Sequence, residues 1–243
     1  MKVTQLKCNL DTFIEGETID LCAPSEDELI LEQWFRWFNK SEITKYLNQG
    51  LYPNTLELQK SFFKSTKQDQ SRFTVLIRPK HKDQIIGVAS LSFIDHIQRQ
   101  CDFSMVIGER TSGGNSLFHG LETKARLTQH AFDILGMERV NTNQAKELAR
   151  WQRWQILFGY QIEGILRNKF RKGNTVHDTY LSSCILQDYN KLLKIRGGRY
   201  WPGKSEMFEL IKKLPKNTLI DELDQWLPEK QENYWNNVFL KLK

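Results

Sequence analysis

At 243 residues, 40% of them hydrophobic and 26% charged, the chain is long enough to bury a full core and has the composition of an ordinary globular protein, not a fibrous or disordered one. Thirty-five Lys and Arg against 29 Asp and Glu give a net charge of +6, a mild bias toward anionic partners that suits a phosphate-bearing cofactor, a nucleotide sugar, RNA or an acidic protein alike. Cys8, Cys22, Cys101 and Cys184 form no Cys-x-x-Cys pair and have no histidine at zinc-ligand spacing, so reduced, mostly buried thiols and no metal are expected. No apolar run is long enough for a signal peptide or a membrane span, which makes the cytoplasm the expected location and a membrane an unexpected partner.

A polar lead-in precedes a first strand at Ile19-Asp20-Leu21-Cys22. Ser25 and Glu28 form a Ser-x-x-Glu capping box that opens a helix reaching Phe38, with Leu29, Leu31, Trp34, Phe35 and Phe38 at helical spacing. Asn54 or Thr55 caps a second helix to about Ser65. Two strands follow, Phe73 to Ile77 and Gln84 to Phe93, with the hairpin turn at Pro79 to Asp83 and Asp95-His96 closing the second.

The most informative stretch comes next. Cys101 to Ile107 alternates as a strand, then breaks at Gly108-Glu109 into the irregular loop Arg110 to Gly120, and a helix runs from Leu117 to Leu135. A strand that delivers its chain to a helix N-terminus makes an anion site, because the first N–H groups of a helix lack internal partners. Arg110, Lys124 and Arg126 are placed to add positive charge there.

Val140 to Asn143 reads as a short strand, and Ala145 to Phe158 as a helix in which Trp151 and Trp154, with Arg150 and Arg153 beside them, either stack a base or pack on the sheet. Tyr160 to Leu186 is a hairpin with Lys172-Gly173-Asn174 at its turn; Arg167, Lys169, Arg171 and Lys172 form a basic patch that binds phosphate or RNA, or is simply a solvated turn. From Asp188 a linker ending at Trp201-Pro202-Gly203 leads to three amphipathic pieces, Glu206 to Lys213, Thr218 to Trp226 and Glu229 to Leu242, separated by prolines. Their apolar residues require a surface to cover, on this chain or on another.

Several landmarks together carry a family resemblance. These are Gln33 to Lys40 with Tyr52-Pro53-Asn54-Thr55, Ile86 to Leu91 with Ile94-Asp95, Ile107-Gly108-Glu109, Phe158-Gly159-Tyr160 with Glu163-Gly164, and the later Arg167, Phe170 to Gly173 and Asp178. In this order the chain, from roughly Ile19 to Leu186, resembles the GNAT family of acyl-CoA-dependent N-acetyltransferases, in particular its branch acting on ribosomal-protein N-termini and polysaccharide amino sugars. The resemblance implies an α+β fold with a mixed, mostly antiparallel central sheet flanked by helices: residues 1–187 as the acyltransferase domain, 188–243 as a linker and helical extension.

It also implies acetyl-CoA as co-substrate. The strand Met105-Val106-Ile107 would splay from its successor and offer backbone groups to the pantetheine arm. Arg110, Gly113, Gly114, Asn115, Ser116, Phe118, His119 and Gly120 would meet the diphosphate. Glu109, Asp95 and His96 are the candidate general bases, and Trp34, Tyr52 and Arg167 the candidate contacts of a small amine substrate, an amino sugar or its nucleotide-linked form; Trp37 and Tyr46 stand with them, and for all these aromatics core packing is the plainer role. The family pattern Gln/Arg-x-x-Gly-x-Gly/Ala departs here, with Asn115 at its first position and Phe118 at its first glycine. The family's asparagine and tyrosine before Gly159 give way to Glu147 or Leu148 and Gln155. These departures open a second reading, a catalytically inactive module acting through protein contacts of its C-terminal helices, by homo-oligomerisation or with another protein. RNA binding, without a recognised motif, is the least favoured.

Overall fold

The structure, a computed structural model, describes residues 10–110, 115–216 and 219–240. Eight strands form one sheet: β1 (Thr12–Glu15), β2 (Ile19–Cys22), β3 (Phe73–Pro79), β4 (Gly87–Asp95), β5 (Gln100–Ile107), β6 (Arg139–Ala145), β7 (Gln161–Lys172) and β8 (Thr175–Ile185). Their order is β1-β2-β3-β4-β5-β6-β8-β7, and every neighbouring pair is antiparallel except β5 with β6. The parallel step follows from connectivity: a hairpin can reverse direction, but β5 reaches β6 only by crossing over through α4 (Asn115–Asp133).

Alternation along the strands feeds two cores. Val75, Ile77, Ala89, Leu91, Cys101 and Phe103 point to the face covered by α4, while Leu76, Val88 and Cys22 point to the opposite face, under α1 (Glu28–Trp37) and α3 (Leu56–Gln68). Ser25 Oγ accepts from Asp27 N at the start of α1, and Thr55 caps α3 by accepting from Leu58 N. The expected tryptophan helix is shorter and broken: α5 (Ala149–Gln155) lies between two single turns of 3₁₀ helix, and Gly159, at φ 73°, ends it.

The C-terminal part consists of α6 (Leu186–Ile195), α7 (Lys204–Lys213) and α8 (Leu219–Val238). The division expected at 187/188 does not separate two cores. Tyr189, Tyr200, Trp201 and Met207 are buried in the same cluster as α4, and Tyr200 donates to the Phe158 carbonyl. Trp201-Pro202, expected to end a linker, is therefore packed structure. α8 runs through Pro228, where a break was expected, forfeiting one backbone bond instead of ending. Among the described residues no helix is long and apolar enough to cross a membrane.

Candidate functional site

β5 and β6 are joined over three residue pairs, Gln100↔Arg139, Cys101↔Val140 and Asp102↔Asn141. Beyond them β5 keeps its pairing with β4 as far as Ile107↔Gly87, and β6 keeps its pairing with β8 as far as Ala145↔Thr179. The sheet therefore splits into two half-sheets, and residues 103–107 and 142–145 face an opening. Main-chain N–H and C=O groups along such edges need partners, which makes the slot a hydrogen-bonding surface for an extended ligand.

On the α4 side the slot is narrow. A Cβ on Gly120 would lie 3.3 Å from both Met105 Cε and Trp151 Cη2, so the glycine admits the Met105 chain and the Trp151 indole against the helix. On the β6 side Gln144 accepts from Gln155 Nε2 at 2.6 Å; Gln155 also donates to Gln152, and Gln152 to Ser182. Gln155 Oε1 ends this chain as a buried acceptor without a partner. An orphaned acceptor beside an open strand edge suits an amide N–H of a ligand lying in the slot.

The expected phosphate loop needs correction. Phe118, His119 and Gly120 belong to α4 itself, behind its first turn. Phe118 is buried, with the Phe208 ring 6.4 Å away and the Lys204 ammonium 5.5 Å from its centre. His119 is buried too, and burial, with Lys82 and Lys204 adding to it, pushes its pKa down. Arg110 is exposed at the approach to the helix, Asn115 and Ser116 form its first turn, and Gly113 and Gly114 lie outside the described residues.

Nor do Lys124 and Arg126 reach that end. Lys124 is wholly buried with its ammonium nitrogen unpartnered, 4.2 Å from the centre of the Phe103 ring and 3.6 Å from that of Tyr160, and burial drives its pKa well below the usual lysine value. Arg126 bonds Glu122, whose fully buried carboxylate also accepts from Glu17 N and Thr18 N at 2.6 Å each and from Thr18 Oγ1 at 2.7 Å, so the pair ties the β1–β2 turn to α4.

The opposite mouth of the slot, on the α1 face, gathers the charged groups. Glu109, just past β5, accepts from Trp37 Nε1 at 3.1 Å and from Lys40 Nζ at 3.2 Å. Gly108 leaves room for this: a Cβ there would lie 2.0 Å from Trp37 Cδ2. The short helix α2 (Ser41–Thr44) then leads to Tyr46, whose ring meets His177 edge-on at 5.5 Å. His177 Nδ1 is 2.5 Å from Glu147 Oε1, directly after β6. Burial alone would raise the Glu147 pKa, but the bond and charge of His177, with a backbone bond and Lys45, hold it below the usual value. Lys172 pins the following loop by donating to the Leu47 and Gln49 carbonyls.

Of the other expected site residues, Asp95 and His96 are not brought here. Asp95 accepts from Ile97 N and Gln98 N in the β4–β5 turn and pairs with Gln100, at the closed end of β5. Seven residue steps of strand, on the order of 20 Å, separate that end from Ile107. Trp34 is a core residue under Phe62, Tyr52 is 84% exposed, and Arg167 is exposed on β7. Sequence reasoning does not find the glutamate–histidine pair: Glu147 stands out only as a departure from a family pattern, and nothing local in the β7–β8 hairpin singles out His177. Among the described residues no three of His, Cys, Asp and Glu gather as they would around a metal ion.

Comparison with known proteins gives this geometry a context. Residues 21–154 match the acetyltransferase (GNAT) domain family. An uncharacterized N-acetyltransferase p20 of Bacillus licheniformis is 19% identical over 181 residues, 73% of this chain and 97% of the relative. Among solved structures, the spermidine N-acetyltransferase of Vibrio cholerae in complex with CoA and spermine superposes with a TM-score of 0.63 at 18% identity, covering 72% of this chain and 99% of that one. The microcin C7 self-immunity acetyltransferase MccE, in complex with acetyl-CoA and AMP, gives 0.57 at 19% identity, covering 70% and 94%. At these identities the structural likeness is one of fold.

Proposed function

The chain belongs to the GNAT acetyltransferase family, and on that premise we propose that it transfers an acetyl group from acetyl-CoA to a small amine by direct attack on the thioester. The observation that carries this reading is the parting of β5 and β6 after Asp102 and Asn141. Main-chain groups of Met105, Val106 and Ile107 on the free edge pair with the pantetheine arm, and an N–H directed at the thioester oxygen stabilises the charge that develops there. Gln155 Oε1 takes an amide N–H of the same arm. The first turn of α4, at Asn115 and Ser116, and Arg110 before it receive the diphosphate. With thioester and amine held together in one slot, most of the acceleration comes from proximity.

The amine enters from the α1 face, where the Glu109 carboxylate draws an ammonium toward the mouth. We assign the acceptor to small amines, with an amino sugar or its nucleotide-linked form as the narrower class; the spermidine enzyme among the structural relatives makes a polyamine the natural comparison. The test is calorimetry with acetyl-CoA, followed by release of free CoA thiol in the presence of glucosamine, spermidine and an alanyl peptide in turn. Micromolar binding with transfer to a small amine is expected. No binding at millimolar acetyl-CoA would refute the reading and leave the inactive module, for which the family and structural relatives offer no support.

A further inference from the structure

The slot has two mouths, and the one facing α1 carries a glutamate–histidine pair whose buried imidazole packs against the rings of Tyr46 and Phe170. β8 alternates strictly there. Tyr180 donates to Asp224 of α8, Ser182 accepts from Gln152 of α5, and Cys184 lies in the α4 core, so the even positions face the cofactor side. The odd positions, Thr179 and His177, face the opposite side. Thr179 stands across from Ala145, the last paired residue of the open β6 arm, and its hydroxyl is buried without a partner. His177 lies one alternation further out, where the arm ends and Glu147 takes its Nδ1.

The other side of the mouth is Glu109, at the end of the β5 arm. The two sides are tied across by one short segment: Lys40 bonds Glu109, and Tyr46 packs on His177. The charged groups around the pair are Lys45, next to Glu147, and Lys172, whose ammonium is already bonded to the loop carbonyls.

We propose that His177, oriented by Glu147, is the base that takes the proton of the acceptor amine, and that the Thr179 hydroxyl beside it holds that amine at the mouth of the slot. This rests on the acetyl-transfer reading above. The chemistry favours imidazole over the neighbouring carboxylates. An acceptor arrives as an ammonium ion, and imidazole is the side chain that ordinarily exchanges a proton between pH 5 and 8. With Nδ1 fixed against Glu147, Nε2 is the nitrogen left to meet the amine, and the carboxylate stabilises the imidazolium that forms. The amine's proton passes to Nε2; the freed lone pair forms the C–N bond to the acetyl carbon; the C–S bond breaks, and the second N–H proton leaves with the CoA thiolate. Glu147 acts through His177 as a positioning residue.

The test uses the full chain and follows kcat and KM for the best amine of the panel, kcat/KM against pH, and acetyl-CoA affinity by calorimetry. In the wild type kcat/KM should fall on an acid limb that H177Q lacks. H177Q should lose about 100-fold in kcat/KM with acetyl-CoA affinity unchanged. E147A should lower kcat about tenfold with acetyl-CoA affinity and the amine KM unchanged, because Nδ1 loses the acceptor that orients the ring, E147Q, which keeps an oxygen there, should recover part of that loss, and T179V should raise KM for the amine more than it lowers kcat. An active protein in which H177Q keeps its rate and its acid limb overturns the base assignment alone. A wild type that binds acetyl-CoA but acetylates none of the amines overturns the functional reading, and the assignment with it.

Discussion

Replacing Gly108 by alanine tests how the amine-side mouth is built. A methyl group at this position would sit 2.0 Å from Trp37 Cδ2, 2.3 Å from Cε2 and 2.4 Å from Cγ. These are atoms of a rigid ring that is 1% exposed in the α1 core, so no flexible end can swing aside. Ordinary contact needs at least about 3.4 Å, and the ring must shift by more than 1 Å or leave its rotamer; overpacking of this kind costs about 1–3 kcal/mol. Moving the indole also breaks its bond to Glu109, worth about 1 kcal/mol at a half-exposed carboxylate. A loss of about 3 kcal/mol is expected in urea unfolding, or about 6–12 °C in Tm for a chain of this length. Gly120→Ala is the internal control. Its methyl would meet Met105 Cε and Trp151 at 3.3 Å or more, neighbours that can yield, and alanine gains about 1 kcal/mol of helix propensity. A G108A protein within about 0.5 kcal/mol of the wild type would show that Trp37 does not cover Gly108 as described, whatever G120A does.

Four further outcomes follow from particular residues. E122Q removes the charge that holds two backbone N–H groups, the Thr18 hydroxyl and Arg126, and should cost about 3 kcal/mol by chemical unfolding. Lys124 has its folded pKa depressed by burial, so the unfolded chain binds the extra proton; wild-type stability should therefore rise with pH from the folded pKa up to the ordinary lysine value, by up to about 1.4 kcal/mol per pH unit. K124M should flatten that slope and be the more stable protein at pH 7, and an unchanged slope would place the charge elsewhere. D95A should lose about 1 kcal/mol as two turn N–H groups lose their acceptor, with kcat/KM unaltered, since the residue stands at the closed end of β5. R110Q should weaken acetyl-CoA binding about tenfold in low salt and less in high salt, as expected of an exposed phosphate contact.

What the sequence made legible is what local chemistry controls. Thr55 caps α3 because a hydroxyl before an apolar run has a backbone donor within reach, and the strand ending at Ile107 followed by a helix is readable from alternation giving way to a 3.6-residue period. The parting of β5 from β6 was reached through family resemblance; no residue in either strand encodes it by itself, because it depends on where the pairing with β4 and with β8 carries each arm. The glycine pattern of the family puts Phe118 to Gly120 in a phosphate loop, whereas the helix begins at Asn115 and makes Gly120 a contact for Met105 and Trp151. Lys124 illustrates the same limit from the other side. A lysine on an early turn next to an anion site reads as a phosphate ligand, yet α4 turns that position toward Phe103 and Tyr160.

The pair His177 and Glu147 marks the point at which sequence reading stops. Thirty positions separate them, and neither stands in a motif. They meet because Ala145 pairs with Thr179, and that register exists only once the β7–β8 hairpin has docked on β6. The same register puts Thr179, with its unpartnered hydroxyl, on the face that α2 closes. Local pattern can place a base on a strand; only strand pairing decides which carboxylate stands behind it. If that pairing creates the base, V140P, which removes a ladder donor where β6 meets Cys184 of β8, should lower kcat as the loss of the Glu147 carboxylate does in whatever fraction stays folded. A folded V140P protein with the wild-type kcat would show that Glu147 is held by something other than the β6–β8 ladder.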